Sequence, residues 1–357
     1  MSAPMRPFYV TGGKQKPVGP KPREERDLYE KGVILRVDPE VGSVERCVEY
    51  TTPEAYCPES ESISFENGEL RADRLYVCTR TEALVYQLPE FSVLGHVSLP
   101  SFNDVHHVRP TPEGNLLVTS TGLDMVIETT LDGKVLREWD VLDEAPWTRF
   151  SREVDYRKVA TTKPHRSHPN YSFFLDGQPW VTRSQQADAV SLTERNRRIT
   201  IAANPGCHDG EVYRGKVYFT TVNGTVVIVN ARTLETETVV DLNTIDNPLG
   251  SLLGWCSGLW IVDESHVWVG FTRLRSTPFV ENVRWVRRLI GQGEKPSHVA
   301  LYDISAGKCL ADINLEPHGI NMVCGIFSAD VTGASRRSSG GTIAGLMVPG
   351  VARSSVL

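Results

Sequence analysis

Residues 106–121, HHVRPTPEGNLLVTST, read as an extended run, a Pro-Glu-Gly-Asn turn, and a second apolar run ending in threonine and serine. The same grammar returns in HPNYSFFLDGQPWVTRS (168–184) and CHDGEVYRGKVYFTTVNG (207–224). Histidines mark the start of each, and PHGINM (317–322) carries another near the far end. A residue that recurs at one place in a repeated unit occupies one place in the fold. A closed ring of such units would therefore bring distant histidines together.

Elsewhere in the chain, long helical periodicity is almost absent. Short alternating or apolar runs follow one another between Gly, Asp, Asn and Pro turn signals, among them GVILRVD, RLYVCTR, ALVYQLP, MVIETTL, TVVIVNA, HVWVGFT and HVALYDI. Units of about 40 residues built from such runs predict an all-β chain folded as a six-bladed β-propeller, one four-stranded blade per unit. Units span 62–100 and 102–142, then start at His168, His208 and Cys256. The sixth is expected to be split, with outer strands from GVILRVD and ERCVEYT and inner strands from INMVCGI and TIAGLMV. N- and C-terminal strands in one blade would close the ring and remove exposed sheet edges.

On this reading residues 1–30 are a flexible arm, 31–330 a single propeller domain, and 331–357 a tail with one inner strand. Insertions at 143–167 and 276–297 interrupt the pattern, and the second holds VENVRWVRRLIG, with apolar residues at helical spacing. Such insertions often build lids and substrate walls.

Composition narrows the classes. The chain is 40% hydrophobic and 23% charged, which is ordinary for a globular protein. A net charge of -6, without a Lys/Arg run interleaved with aromatics, argues against a nucleic-acid partner. No apolar stretch reaches the roughly 18 residues a membrane span needs, and residues 1–26 show no signal-type apolar core. Seven cysteines without a CxxC pair suit a reduced, cytoplasmic protein.

In a blade the first strand lines the central channel. His107, His168, His208 and His318 are therefore expected to converge near one mouth. A ring of neutral imidazoles is a natural ligand set for a divalent transition metal. Asp104 and Asp209 flank these histidines as orienting or acid/base groups, with His107 as the catalytic histidine. Arg80, Arg183 and Arg273 close the second strands (CTRT, VTRS, FTRL) and would anchor a small anionic substrate through bidentate hydrogen bonds. Cys256 takes the histidine's place in the fifth unit, as a substrate contact or a buried thiol. His106 is expected to face away from the channel and to pack, His165 to take an outer part, and Glu61 to supply a carboxylate.

The HHVRPTPEGNLLVTST segment and the LDGKVLREWDV hairpin after it resemble blades of bacterial six-bladed propellers, the SMP-30/NHL-like and arylsulfotransferase groups. The arylsulfotransferase resemblance implies histidine-dependent group transfer, with His107 as acceptor. The histidine-rich axis resembles the four-histidine iron centre of the carotenoid-oxygenase propellers, which implies Fe(II). The leading expectation is thus a metal-dependent enzyme with oxidative or lyase-type chemistry. Metal-free group transfer and a non-enzymatic propeller that binds a ligand or protein stand beside it.

Overall fold

The structure is a computed structural model and describes residues 5–17, 28–57, 63–201, 206–247, 249–274 and 293–330. Among these, 24 strands form six antiparallel sheets of four. The only helical elements among the described residues are three-residue 3-10 turns, and no described helix is long and apolar enough to cross a membrane.

Five blades use consecutive strands. From first to last strand they run Gly68–Arg71 to Ser92–Val97 (blade 1), Val105–Pro110 to Val135–Asp140 (blade 2) and Pro169–Leu175 to Arg198–Thr200 (blade 3). Cys207–Tyr213 to Thr236–Asp241 form blade 4, and Trp255–Ile261 to Lys308–Asn314 form blade 5. Each first strand packs beside the first strand of the next blade, all the way round, so these strands enclose the axis. Inner strands are covered on both faces, and a run such as Leu116–Ser120 is buried throughout. The outermost strand of blade 5, KCLADIN, alternates between exposed and half-buried residues because only one face meets the core.

Blade 6 is the closure. Its order is Met322–Ser328, Phe8–Gln15, Tyr29–Asp38 and Ser43–Tyr50. INMVCGI, GVILRVD and ERCVEYT occupy the expected places. The second strand corrects the sequence reading: FYVTGGKQ, assigned to a flexible arm, is buried and hydrogen-bonded on both sides. TIAGLMV and the 331–357 tail lie outside the described residues, as does most of the 276–297 insertion. Gly12 makes the seam possible, since a Cβ there would stand 1.8 Å from the Met322 carbonyl oxygen.

Packing follows the ring. Six apolar clusters fill the six interfaces between neighbouring blades. Trp180 and Phe173 meet Phe219 between blades 3 and 4, and Phe8 and Val10 meet Trp268 between blades 6 and 5. All seven cysteines are free, and five are buried.

The 143–167 insertion joins the last strand of blade 2 to the first of blade 3. Tyr156 pins it, packing on Leu123 and Met125 while its backbone N–H donates to the Pro100 carbonyl (2.8 Å). Asn103 holds it from below, its Nδ2 donating to the carbonyls of Tyr156 (2.8 Å) and Val159 (2.7 Å).

Candidate functional site at the axial mouth

Five first strands share an irregularity where they begin. The pairing register slips between Val105 and His107, Pro169 and Ser172, Cys207 and Gly210, and Cys256 and Leu259. It slips again where Val323 and Gly325 face Gly12 and Thr11. A bulge adds a residue to one strand and re-aims the side chains beside it. Beyond each slip pairing is regular, and Val108↔Val118, Ser172↔Val181, Gly210↔Phe219, Leu259↔Val269 and Ile326↔Val10 are equivalent pairs, matched in blade 1 by Gly68↔Val77. Two residues before each of these stand His106, Asn170, His208, Ser257, Cys324 and Glu66. Contacts between blades bring most of these positions together at the axis. His106 Nδ1 is 2.8 Å from Asn170 Oδ1, the His106 and His208 rings are stacked 6.5 Å apart, and the Cys324 thiol donates to Glu66 Oε2 (3.4 Å).

On one side of this ring lies a polar cluster. Arg80 Nη2 sits 2.7 Å from Asp104 Oδ1, which is 3.5 Å from His106 Nε2. His165, from the end of the insertion, places its Nε2 4.0 Å from Asp104 Oδ2. Its Nδ1 is 2.8 Å from Nδ1 of His168, so one of these nitrogens donates to the other. The His168 ring stands edge-on to His106 with centroids 5.0 Å apart. His106 and His208 keep 17% and 19% of their side chains exposed, which leaves them open to the axis.

The electrostatics divide the cluster. Burial favours protonation of Asp104, but Arg80 and His106 hold its carboxyl well below the usual range. Burial also opposes charge on His106, yet Asp104, Glu66 and the Asn170 hydrogen bond carry its pKa above the ordinary value. His168 goes the other way, pushed well down by burial and then by His106 and His165. His165 is lowered too, chiefly by burial. Charge is thus favoured on His106 and disfavoured on His165 and His168 within one mouth.

Several expectations are corrected here. His107 lies beside the channel, not in it: the bulge at His106 turns it into the interface between blades 2 and 3. It is fully buried, with Nδ1 3.1 Å from Ser172 Oγ and Nε2 3.1 Å from the Gly68 carbonyl oxygen. His106, expected to pack, faces the axis in its place. His318 sits in the turn Glu316–His318 at the outside of the seam blade, its carbonyl accepting from Arg46. His107, His168, His208 and His318 therefore do not surround one point, and the iron centre expected of them does not fit. Among the described residues, no group of three or more His, Cys, Asp or Glu side chains is arranged to hold a metal ion.

Of the arginines, Arg80 joins the cluster. Arg183 is buried, clamped by Asp188 at 2.8 and 2.7 Å and by the Val141 carbonyl oxygen at 2.9 Å, and so serves the blade. Arg273 pairs with Glu316 (3.0 Å). Cys256 lies in the core between blades 4 and 5, where burial drives its thiol pKa well up. Asp209 is buried beneath His208 and ties three blades together. It accepts from Asn67 Nδ2 (2.7 Å), Gly258 N (3.0 Å) and Thr220 Oγ1. Glu61 lies outside the described residues.

No family model matches the sequence, and no curated protein does. Solved structures resemble its fold. A protein of unknown function from Bacteroides caccae aligns with a TM-score of 0.56 at 13% identity, covering 90% of this chain and 98% of that one. A streptogramin B lyase aligns with a TM-score of 0.44 at 12% identity, covering 88% and 89%.

Proposed function

We propose that the axial mouth is the active site of an enzyme that moves protons on a small polar molecule, the chemistry of a lyase or isomerase. One arrangement carries the reading: His106 stands 3.5 Å from Asp104 and 5.0 Å, ring to ring, from His168, with Asp104 raising the pKa of the first imidazole against its burial and burial pushing that of the second well down. Neighbouring titratable groups whose environments push their pKa values apart are how one site holds an acid and a base together at neutral pH.

His168 would take a proton from substrate carbon or oxygen, with His165 behind it to fix the tautomer and share the charge. His106 would deliver a proton to the departing or rearranging atom, and Asp104 would stabilise the ring before transfer. One proton leaves the substrate and one returns, so no oxidant or water is consumed. Arg80 and the nearby Lys163 add positive potential that favours an anionic group on the substrate. The insertion forms the wall that carries His165.

Imidazole titration by NMR tests the assignment without a known substrate. His106 should titrate above the ordinary histidine value and His168 well below it; the reverse order overturns the proposal. Once a substrate is found, the rate should show a bell-shaped pH profile, and His106→Gln and His168→Gln should each cost about 10²–10⁴-fold in kcat.

A further inference from the structure

The insertion end that carries His165 and His168 has no regular pairing of its own, so something else must fix which way these rings face. Asp124 supplies that hold. Its Oδ1 accepts from the backbone N–H of Ser167 (3.1 Å) and His168 (2.8 Å), and its Oδ2 from that of Arg166 (3.0 Å). Arg149 Nη2, at the start of the same insertion, also donates to Oδ2 (3.0 Å). The Asp124 side chain is 1% exposed, and its backbone is welded to blade 2 by the Val141 N–H donating to its carbonyl (3.0 Å).

His168 needs this hold. It adopts φ +55°, a left-handed conformation uncommon for residues other than glycine. Such backbone persists only where surrounding bonds over-determine it. The clamp is two-sided: Asp124 accepts from the His168 N–H, and the Ser184 N–H donates to the His168 carbonyl (3.2 Å). Asp124 acts through the backbone.

We propose that Asp124 is a positioning residue whose carboxylate, by gripping three consecutive N–H groups, sets the facing of His165 and His168 and maintains their Nδ1–Nδ1 hydrogen bond. This rests on the reading of that pair as the proton-accepting side of the site. The charged and titratable groups facing His165 are Asp104, Asp124, Lys163, His106 and His168, with Thr162 Oγ1 3.3 Å from its Nε2, and Asp124 is the one of these that grips the backbone of residues 166–168.

In Asp124→Asn the amide nitrogen must replace one oxygen, so a donor meets donors on one side and the grip breaks. Histidine-labelled protein read by ¹⁵N NMR at neutral pH should lose the donor–acceptor tautomer signature of the His165–His168 pair, while the His106 signals stay as in wild type. Arg149→Ala, which removes one contact and leaves the three backbone bonds, should retain the pair. An unchanged signature in Asp124→Asn, or an equal loss in Arg149→Ala, overturns the proposal. Should Asp124→Asn not fold, amide exchange in the wild-type protein decides. The N–H groups of Arg166, Ser167 and His168 must be protected, and exchange at open-loop rates sinks the clamp. A wild-type titration with His106 below His168 would instead remove the catalytic reading and leave the clamp standing.

Discussion

His106 and His107 are chain neighbours with opposite fates, and the contrast gives a direct test. His107→Ala removes a buried ring and strands the Gly68 carbonyl and the Ser172 hydroxyl, so it should lower unfolding stability by about 2–4 kcal/mol in a denaturant titration. His106→Gln, at a half-open position, should cost less than about 1 kcal/mol yet abolish the acid at the mouth. A second residue-scale test concerns Glu211, on the first strand of blade 4 and bonded to the Tyr171 hydroxyl. Burial pushes its pKa up to about 7 from an ordinary 4.5. A carboxyl raised on folding favours the native state while protonated, so its contribution is complete below about pH 4.5 and disappears as the pH rises through about 7. Stability should therefore decline across that window in the wild type and less steeply in Glu211→Gln. The sequence located His168 and His208 at the mouth and missed His106 by one residue, while His318, expected beside them, lies in a turn at the outside of the seam blade. Alternation along a strand makes such an offset decisive, because each single step exchanges the channel face for the packed face. The bulge that sets the step comes from pairing between strands, which local sequence does not display.

Among the elements, strands were legible and their partners less so. Apolar runs bounded by turn residues marked nearly every strand, because inner strands are covered on both sides. FYVTGGKQ escaped: its two glycines and flanking prolines and lysines have the composition of a linker, whereas in the fold Gly12 makes room for the Met322 carbonyl and Gly13 for Ser64 and Tyr29. The 143–167 insertion was recognised as an interruption, but its contribution of His165 to the site depends on anchors far apart in sequence. Tyr156→Ala should leave the thermal transition of the blades largely in place while opening residues 143–167 to limited proteolysis. Protection equal to wild type would show that Tyr156 is not the anchor.

At the scale of the molecule, the ring is held by six interfaces, and the one blade built from discontinuous stretches of chain, blade 6, lines two of them. Deleting residues 1–17 removes Phe8 and Val10 from one interface and Tyr9 from the next, and leaves Met322–Ser328 without a partner strand. Cooperative unfolding should be lost by calorimetry. The milder Gly12→Val should destabilise by about 1–3 kcal/mol or more, since its side chain collides with the seam backbone.

The strand Met322–Ser328 is the last of the 24 to leave the ribosome, and it brings Cys324 as the sixth residue of the axial ring. Until it emerges, a nascent chain holds five blades around a breach, with His106, His168 and His208 already made but the mouth unwalled on one side. Messages cut short upstream of codon 322 should therefore yield products that possess every proposed proton-transfer group and still fail to enclose a substrate.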